Sequence, residues 1–326
     1  MIFKFILGMF TLAFVYGGAA ALPSLAADYP DRPVRVIVPS APGGAPDVTT
    51  RIVVAELTKQ MGQQFVVDNR PGASGIIGTE LTVRATPDGY TIGQANLTTL
   101  VNNRIFVPKL PFDLDRDLLP ISQYFLTWNI LAVTPSLPVK SVQELIDHAR
   151  KNPGKLLFAS SGNGTSMHLC GEMFKHLTNT QMTHVPYKAA QQGVSDLIGG
   201  QVQLMFDSTS SIGAQVKAGR VRGLAVTGAK RSPTYPELPT VAEAGVPKFE
   251  MTAWGGFAAP SGVPKAIVNR LSVEINKALA TASVKEKFAA NGSVPSGNTP
   301  EEFTTLIKRE LTKWSDVVRS ANIKVE

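Results

Sequence analysis

The sequence predicts an α/β protein with a largely parallel sheet. Short apolar segments alternate along the chain with segments of helical periodicity, which is the pattern of repeated strand–helix units. The apolar segments are rich in Val, Ile, Leu and Phe without strict polar alternation, as expected for strands covered on both faces. The length of 326 residues, 44% of them hydrophobic, suffices for a large core and indicates about two domains.

Seven of the apolar segments are predicted to be strands, because they are short, β-rich and bounded by turn-forming residues. They are Val34–Val38, Gln64–Asp68, Tyr90–Ala95, Trp128–Val133, Leu156–Ser160, Val202–Asp207 and Arg222–Thr227. The sequence contains no internal repeat and no low-complexity tract, so nothing in it indicates a repeat architecture.

Three helix starts are marked by capping boxes, in which a Ser or Thr side chain accepts the backbone N–H three residues later. The boxes are Ser141–Glu144, Thr299–Glu302 and Ser283–Glu286. Apolar residues follow the first two boxes at helical spacing, and Asn-Pro-Gly at 152–154 ends the first helix. Pro300 stands at the first helical position, where its missing N–H costs nothing.

Cysteine and charge content exclude several classes of protein. Cys170 is the only cysteine, and a disulfide framework, a CxxC redox motif and a Cys-rich zinc site each need a second sulfur. The formal charge of +7 is spread along the chain without a Lys/Arg block or interleaved aromatics, a pattern that does not favour nucleic-acid binding. We therefore predict no metal, no cofactor and no nucleic-acid partner.

The N-terminus has the pattern of a secretory signal peptide. Lys4 precedes an apolar run from Phe5 to Leu22, and Pro23 with small residues follows. An uncleaved membrane anchor is the alternative, since about 18 apolar residues begin to span a bilayer. The small residues favour cleavage after Ala26 or Ala27, which makes residues 1–27 a signal peptide and the mature chain a periplasmic protein.

A glycine-containing turn, Ser40–Asp47, follows the first predicted strand and precedes a helix. Gly43 and Gly44 allow close approach of the backbone to a ligand, and the free N–H groups of the helix start are donors for an anion. Asp47 is predicted to be the N-cap of that helix. The structural alternative is an ordinary tight turn between strand and helix.

A second turn, Ser160–His168, follows a strand in the other half of the chain and opens a helix. Its hydroxyls, glycines and helix start form another anion-binding pattern. One such turn in each half predicts two lobes that close on a small anionic ligand beyond the carboxyl ends of the strands. Neither turn matches the Walker A motif, and Gly72–Gly78 lacks the GxGxxG spacing.

The sequence gives little support for an enzyme. The sequence contains no GxSxG elbow and no HExxH motif. Cys170, His168, His176 and His184 are spaced so that helical neighbours point apart, which opposes a thiol nucleophile or a metal site. We interpret Cys170 as a packed small residue and the histidines as surface or loop residues, and no catalytic residue is predicted.

Motifs along nearly the whole mature chain resemble solute-binding receptors of the tripartite tricarboxylate transporter (TTT) family, the TctC or Bug receptors. No one motif is decisive, but together and in this order they are highly specific. They are Tyr29–Pro33, Ala41–Gly44 with Asp47, Asp68–Gly72, Pro87–Tyr90, Ser161–Leu169, His184–Lys188 and Pro239–Gly245.

The resemblance implies a periplasmic binding protein of the type II Venus flytrap fold, with two lobes joined by crossing strands. Lobe 1 would be residues 28–128 plus 251–326, and lobe 2 would be residues 129–250. Such a receptor captures a small carboxylate (a dicarboxylate, amino acid or aromatic acid) and delivers it to an integral membrane permease, without catalysis and as a monomer. The two glycine turns would hold the ligand through backbone amides and bridging waters.

The resemblance and the turns together nominate thirteen ligand-binding residues. These are Ser40, Gly43, Gly44, Ala45, Asp47, Asn96, Ser161, Asn163, Gly164, Thr165, Ser166, His168 and Asp207. Ser40 departs from the family, which often has an aromatic ring there, and Ala189 with Ala190 stand where a glycine is usual. The change at Ser40 removes an apolar wall and adds a donor, so it bears on ligand choice.

Two other functions remain open from the sequence. A secreted hydrolase-like enzyme would use Ser161, Ser166 or His168 and would turn over a small carboxylate. An exported sensor would present its ligand-bound form to a membrane signalling partner. Both share the lobes and turns of the receptor, so residue patterns do not separate them.

Overall fold

The computed structural model describes residues 29–320 and residue 323, and the predicted signal peptide lies outside them. The strands of the described part are β1 (Val34–Val38), β2 (Phe65–Asn69), β3 (Thr91–Asn96), β4 (Leu118–Val133), β5 (Leu156–Ser160), β6 (Met182–Pro186), β7 (Leu204–Ser208), β8 (Arg222–Val226), β9 (Thr252–Pro260) and β10 (Ser293–Pro295).

Helices lie between most of these strands. They are α1 (Ala45–Met61), α2 (Ile76–Val83), α3 (Asn103–Phe106), α4 (Leu114–Asp117), α5 (Val142–Lys151), α6 (Ser166–Thr178), α7 (Ala190–Ile198), α8 (Thr209–Lys217), α9 (Lys265–Ala280), α10 (Ala282–Ala290) and α11 (Pro300–Ser320). Within residues 29–320, no helix combines the length and the apolar character needed to cross a bilayer.

The strands form two groups of parallel pairs joined by two long antiparallel strands. In the first group β1 lies between β2 and β3, parallel to both. In the second group β5 lies parallel between β6 and β7. Strand β9 is antiparallel to β3 and β4, and β4 is antiparallel to β7 and β8. The mixed α/β architecture is as predicted.

Strand β4 connects the two groups. Its first part, from Leu118 to Trp128, pairs with β9, whereas Asn129 to Val133 pair with β7 and β8. Residues at the junction of these two parts therefore lie between the groups. This position brings Thr127 and Asn129 to the cavity described below.

Burial of β1 on both faces explains its apolar sequence. Val34, Val36, Ile37 and Val38 are fully buried, and helices α1 and α9 pack against each other over this part of the core. Each such side chain contributes about 1.5–3 kcal/mol of hydrophobic stabilisation. The carboxyl end of β1 leads directly into the first glycine turn, so this packing positions that turn.

Sequence patterns located some strands better than others. The predicted bounds of β1 and β5 are those of the structure, but β4 begins at Leu118 rather than Trp128, and β6, β9 and β10 were not predicted. Strand β9 lacks the usual β-branched pattern because Gly255 and Gly256 stand where a Cβ would overlap the rings of Phe125 and Phe303. Packing against neighbours, rather than strand propensity, sets its composition.

Two of the three capping boxes are present. The Ser141 hydroxyl accepts Glu144 N–H at 3.1 Å, and Thr299 and Glu302 exchange bonds of 2.9 and 3.2 Å. The third box is wrong: Thr281 caps α10 by accepting Val284 N–H at 3.3 Å, and Ser283 lies inside the helix. The chain leaves α9 and re-enters a helix at Thr281, two residues earlier than the pattern indicates.

Candidate functional site

A cavity of about 730 Å³ lies where the two groups of strands meet. The loops that follow β1 and β5 contribute to its wall, together with the ends of β3 and β7, the middle of β4 and the start of β9. Its lining residues fall within 39–46, 71–75, 96–99, 125–129, 161–167, 187–191, 207–211 and 253–254. A cavity of this size suits a small organic molecule.

The first glycine turn enters α1 through Gly44. Gly43 has a φ of +81°, and Gly44 is the N-cap, with Val48 N–H bonded to its carbonyl at 3.0 Å. The prediction that Asp47 is the N-cap is therefore wrong. Asp47 lies in the first turn of the helix, because Pro46 stands within that turn and the helix already begins at Ala45.

Asp47 instead stabilises the turn by accepting hydrogen bonds from three residues. Its carboxylate accepts Gly43 N–H at 2.9 Å, Arg51 Nε at 3.0 Å and Asn69 Nδ2 at 2.9 Å. Asn69 Nδ2 also donates to the Ser40 carbonyl at 3.1 Å. Asp47 is buried, which by itself would raise its pKa, but the bonds from Arg51, Gly43 and Asn69 outweigh burial and lower the pKa below its ordinary value.

The second turn enters α6 through Thr165. Gly162 and Gly164 have φ values of +121° and +72°, which L side chains rarely adopt. The Thr165 hydroxyl accepts His168 N–H at 3.4 Å and donates to the Gly162 carbonyl at 2.8 Å. The single proton of the Thr165 hydroxyl is therefore already donated within the turn.

Residues of the first half of the chain hold this second turn directly. Ser74 Oγ donates to the Asn163 carbonyl at 2.7 Å, and Asn102 Nδ2 donates to the Gly164 carbonyl at 2.8 Å. Asn103 Nδ2 in turn donates to the Ser74 carbonyl at 3.2 Å. These bonds join the two halves beside the cavity.

His168 and His184 stack beneath the second turn, with ring centroids 4.0 Å apart. His168 is buried, so its interpretation as a surface or loop residue is wrong. The spacing argument considered only one helix, whereas strand β6 brings His184 onto α6 from outside it. Burial, with the nearby charges of His184 and Lys175, lowers the pKa of His168 to about 3. The neutral ring accepts Gly164 N–H at Nδ1 (3.1 Å) and so supports the turn.

Cys170 lies on α6, two residues after His168, and is fully buried. Burial raises the pKa of its thiol to about 12, so the thiolate needed for nucleophilic chemistry does not form at neutral pH. Within the described part of the chain, no group of His, Cys, Asp and Glu is arranged to hold a metal ion.

Eight of the thirteen nominated residues line the cavity. These are Ser40, Gly44, Ala45, Asn96, Ser161, Thr165, Ser166 and Asp207. The other five, Gly43, Asp47, Asn163, Gly164 and His168, do not line it. Of these five, Asp47 and His168 accept hydrogen bonds from N–H groups of the two turns. Ligand contact by any of the thirteen remains a prediction.

Sequence reasoning missed the part of the wall that the crossing strands supply. Phe125, Thr127, Asn129 and Trp254 line the cavity from β4 and β9. They carry no local motif, and only the tertiary pairing of these two strands brings them to the site. Lys188, in contrast, stood in a quoted family motif and could have been nominated from it.

Asp207 is the acidic residue of the lining, at the end of β7. The residue is 2% exposed, and Oδ1 accepts Ser208 N–H at 2.7 Å. Oδ2 is buried and makes no hydrogen bond of standard geometry with a described residue. Burial raises the pKa of Asp207 to about 6, against the opposing hydrogen bonds of Ser211 and Ser208.

Ser160 and Ser161 of the second turn both have partners within the protein. Ser161 Oγ donates to Met167 Sδ at 3.0 Å. Ser160 Oγ lies 2.6 Å from His184 Nε2, but Ser160 is fully buried and is absent from the cavity lining.

Replacing Thr165 by valine tests the cap of α6. Because the hydroxyl is used within the turn, we expect a loss of about 1 kcal/mol in the free energy of unfolding, the usual cost of losing an N-cap. Urea unfolding followed by circular dichroism measures this loss, and Thr165→Ser is the matched control that keeps the hydroxyl. A valine variant as stable as the wild type would contradict the capping role.

Comparison with known proteins agrees with this geometry. A family model described as tripartite tricarboxylate transporter family receptor matches residues 49–323. A UPF0065 protein from the tcbD-tcbE intergenic region of Pseudomonas sp. strain P51 is 42% identical, with 89% of this chain and 86% of that protein covered. Protein BugT of Bordetella pertussis is 34% identical, with 96% of each covered.

A solved structure of a similar protein has the same fold. R. palustris Rpa4515, solved with adipate, is 36% identical and superposes with a TM-score of 0.88 over 91% of this chain and 99% of its own. These comparisons confirm the family resemblance and the two-lobed periplasmic-binding-protein fold predicted from the sequence.

Proposed function

We propose that this chain, because it belongs to the tripartite tricarboxylate transporter receptor family, is a periplasmic receptor that captures a small carboxylate between two lobes. The observation that carries the proposal is the pair of glycine turns in the wall of one cavity, each opening a helix whose first turn keeps N–H groups without an intrahelical partner, those of Ala45 and Ser166 among them. The adipate bound by the R. palustris relative is a small carboxylate of the same kind.

Backbone amides rather than cations would hold the carboxylate. Lys188 is the basic residue of the lining, and its side chain is exposed. Helix N-termini attract anions through their partial positive charge, and bridging waters supply further hydrogen bonds at little cost in enthalpy. Such a site binds a carboxylate while letting it leave again, as a transport receptor requires.

The lobes we propose are residues 28–128 plus 251–326 and residues 129–250. Support comes from β4, which changes partners between Trp128 and Asn129. The chain returns to the first group of strands through β9, which begins at Thr252. Ligand would favour the form in which both turns contact it.

We also propose that the receptor is exported and that it delivers its ligand to a permease. Cleavage after Ala26 or Ala27 would release the mature receptor into the periplasm, where it would act as a monomer and hand its ligand to the permease subunits of a tripartite tricarboxylate transporter. We propose no catalytic role, because the family whose model matches the chain is one of transporter receptors.

A screen of small organic acids tests the receptor function. We expect at least one acid to raise the melting temperature, because a ligand at 100 times its dissociation constant stabilises the folded state by about 2.7 kcal/mol. Thermal unfolding identifies the acid, calorimetry measures its affinity, and mass spectrometry of the incubated mixture should return it unchanged. Formation of a product over time would favour an enzyme instead.

A further inference from the structure

Two side chains that follow strands of the first group hold the backbone of the second glycine turn. Ser74, after β2, donates from Oγ to the Asn163 carbonyl at 2.7 Å. Asn102, after β3, donates from Nδ2 to the Gly164 carbonyl at 2.8 Å. Asn163 and Gly164 follow β5 of the second group. Both bonds therefore cross from one proposed lobe to the other, and both partners of each bond belong to the chain itself.

The backbone at Ser74 has a conformation that serine does not favour. Residues 72–75 all have positive φ, and two of them are not glycine, Ala73 at +46° and Ser74 at +51°. A glycine adopts such angles more easily than a serine, so the backbone conformation does not explain a serine at this position. What the serine adds is the hydroxyl that donates to the second turn. Asn103 Nδ2 fixes the same loop by donating to the Ser74 carbonyl at 3.2 Å.

Asn102 contributes the second bond from a fully buried position. Within the described part of the chain, its Oδ1 has no hydrogen-bond partner of standard geometry, and its Nδ2 bonds to Gly164. A buried amide needs such a bond, because burial without one costs free energy. Phe106 lies beside the same glycine, since a Cβ on Gly164 would be 3.5 Å from its ring. Asn102 does not line the cavity, so it can act on binding only through the turn.

We propose that Ser74 and Asn102 form a latch, which stabilises the closed form of the receptor through hydrogen bonds of the chain's own. This inference rests on the proposed receptor function, in which two lobes close on a carboxylate. Separation of the lobes breaks both bonds and returns the two carbonyls to water, and closure forms the bonds again. Both are positioning residues, because they hold the second turn and its helix start against the first lobe.

A latch of this kind strengthens the binding of every ligand by the same factor. The closed form is the one that contacts the ligand from both sides, and the latch raises the population of that form. A neutral hydrogen bond is worth about threefold to tenfold in an equilibrium constant. A side chain that contacted the ligand directly would instead favour ligands with a matching group. Release of the ligand requires opening, so loss of the latch should appear mainly as faster dissociation.

Variants of the two residues test the latch with a panel of succinate, glutarate, adipate, glutamate and nicotinate. Calorimetry and stopped-flow tryptophan fluorescence are applied to the two acids that bind the wild type most tightly. We expect Ser74→Ala and Asn102→Ala each to weaken the binding of both acids by the same factor, about threefold to tenfold, through faster dissociation. Ser74→Gly should match Ser74→Ala, because both changes remove the hydroxyl although glycine adopts the positive φ more easily.

Ser261→Ala and Asn152→Ala are the matched controls. Ser261 lies exposed after β9 and is absent from the cavity lining. Asn152 Nδ2 donates to a backbone carbonyl as Asn102 does, but within its own helix end, to His148 at 3.0 Å. Both controls should bind the two acids within twofold of the wild type. Circular dichroism and melting establish that each variant folds, and where Asn102→Ala does not fold the two Ser74 variants decide.

The outcomes separate the latch from the receptor function. If the folded Ser74 variants bind both acids within twofold of the wild type, the inference is overturned and the receptor function stands. A loss that differs more than threefold between the two acids would show direct contact with the ligand and would also overturn it. A Ser74→Gly variant that binds like the wild type would assign the effect of alanine to the backbone, with the same result. If no acid of the panel binds the wild type, the proposed function fails and the inference fails with it.

Discussion

The Asp47→Ala variant is expected to lose about 3 kcal/mol in its free energy of unfolding and to bind its ligand more weakly. The substitution removes the acceptor for Gly43 N–H, Arg51 Nε and Asn69 Nδ2 at once. A buried donor left without a partner costs about 1–3 kcal/mol, and two of these donors lie in the turn that lines the cavity or directly behind it. Urea unfolding measures the stability, and calorimetry measures the affinity.

The Asp47→Asn variant separates charge from geometry. Its amide oxygen can still accept one or two of the three donors, so we expect a smaller loss of about 1 kcal/mol. Asp147→Ala on the exposed face of α5 is the control for loss of a carboxylate and should leave stability unchanged within about 0.5 kcal/mol. An alanine variant at Asp47 that melts like the wild type would refute the tethering role.

The effect of Asp47 also depends on pH. Its pKa is lowered in the folded protein, so its stabilising contribution is present above the pKa of about 3.9 that an unfolded Asp has. The contribution is lost as the pH falls through the folded pKa. The stability difference between wild type and Asp47→Asn should therefore be constant near neutral pH and narrow below about pH 4, as urea unfolding at several pH values would show.

The second large effect is expected at Gly78 of α2. A Cβ there would lie 2.8 Å from Pro39 Cα and 2.9 Å from the Arg70 carbonyl oxygen, both backbone atoms that cannot rotate away. We expect Gly78→Ala to cost about 1–3 kcal/mol, the range for overpacking a well-packed contact. Because Pro39 directly precedes Ser40 of the cavity, ligand affinity should fall as well. Chemical unfolding and calorimetry measure the two effects.

Gly199→Ala is the matched control for this substitution. Gly199 ends α7 with right-handed helical dihedral angles, and a Cβ there would meet its nearest atom at 3.5 Å, which is ordinary contact. The alanine should be neutral or stabilise the protein by about 0.4–1 kcal/mol through the unfolded chain. Equal stability of the two alanine variants would show that the contact between α2 and Pro39 can relax.

Local features of the site were predictable because they depend on neighbours in the chain. The glycines of the two turns and the Ser141 and Thr299 caps act through residues three or four positions away, so their patterns are visible in the sequence. Asp47 shows the limit of this reasoning. An acid near a helix start resembles a cap, but its partner Asn69 arrives from β2, 22 residues further along.

The sequence by itself determined the α/β class, the receptor family and the positions of both glycine turns, since each depends on local residue order. Only the tertiary structure decided that β4 pairs with both groups of strands, that His168 stacks on His184, and that Asp207 is buried at the cavity. The physical reason is that these features come from packing and strand pairing between segments far apart in the chain. Side chains that meet in this way leave no periodic pattern or fixed spacing in the sequence.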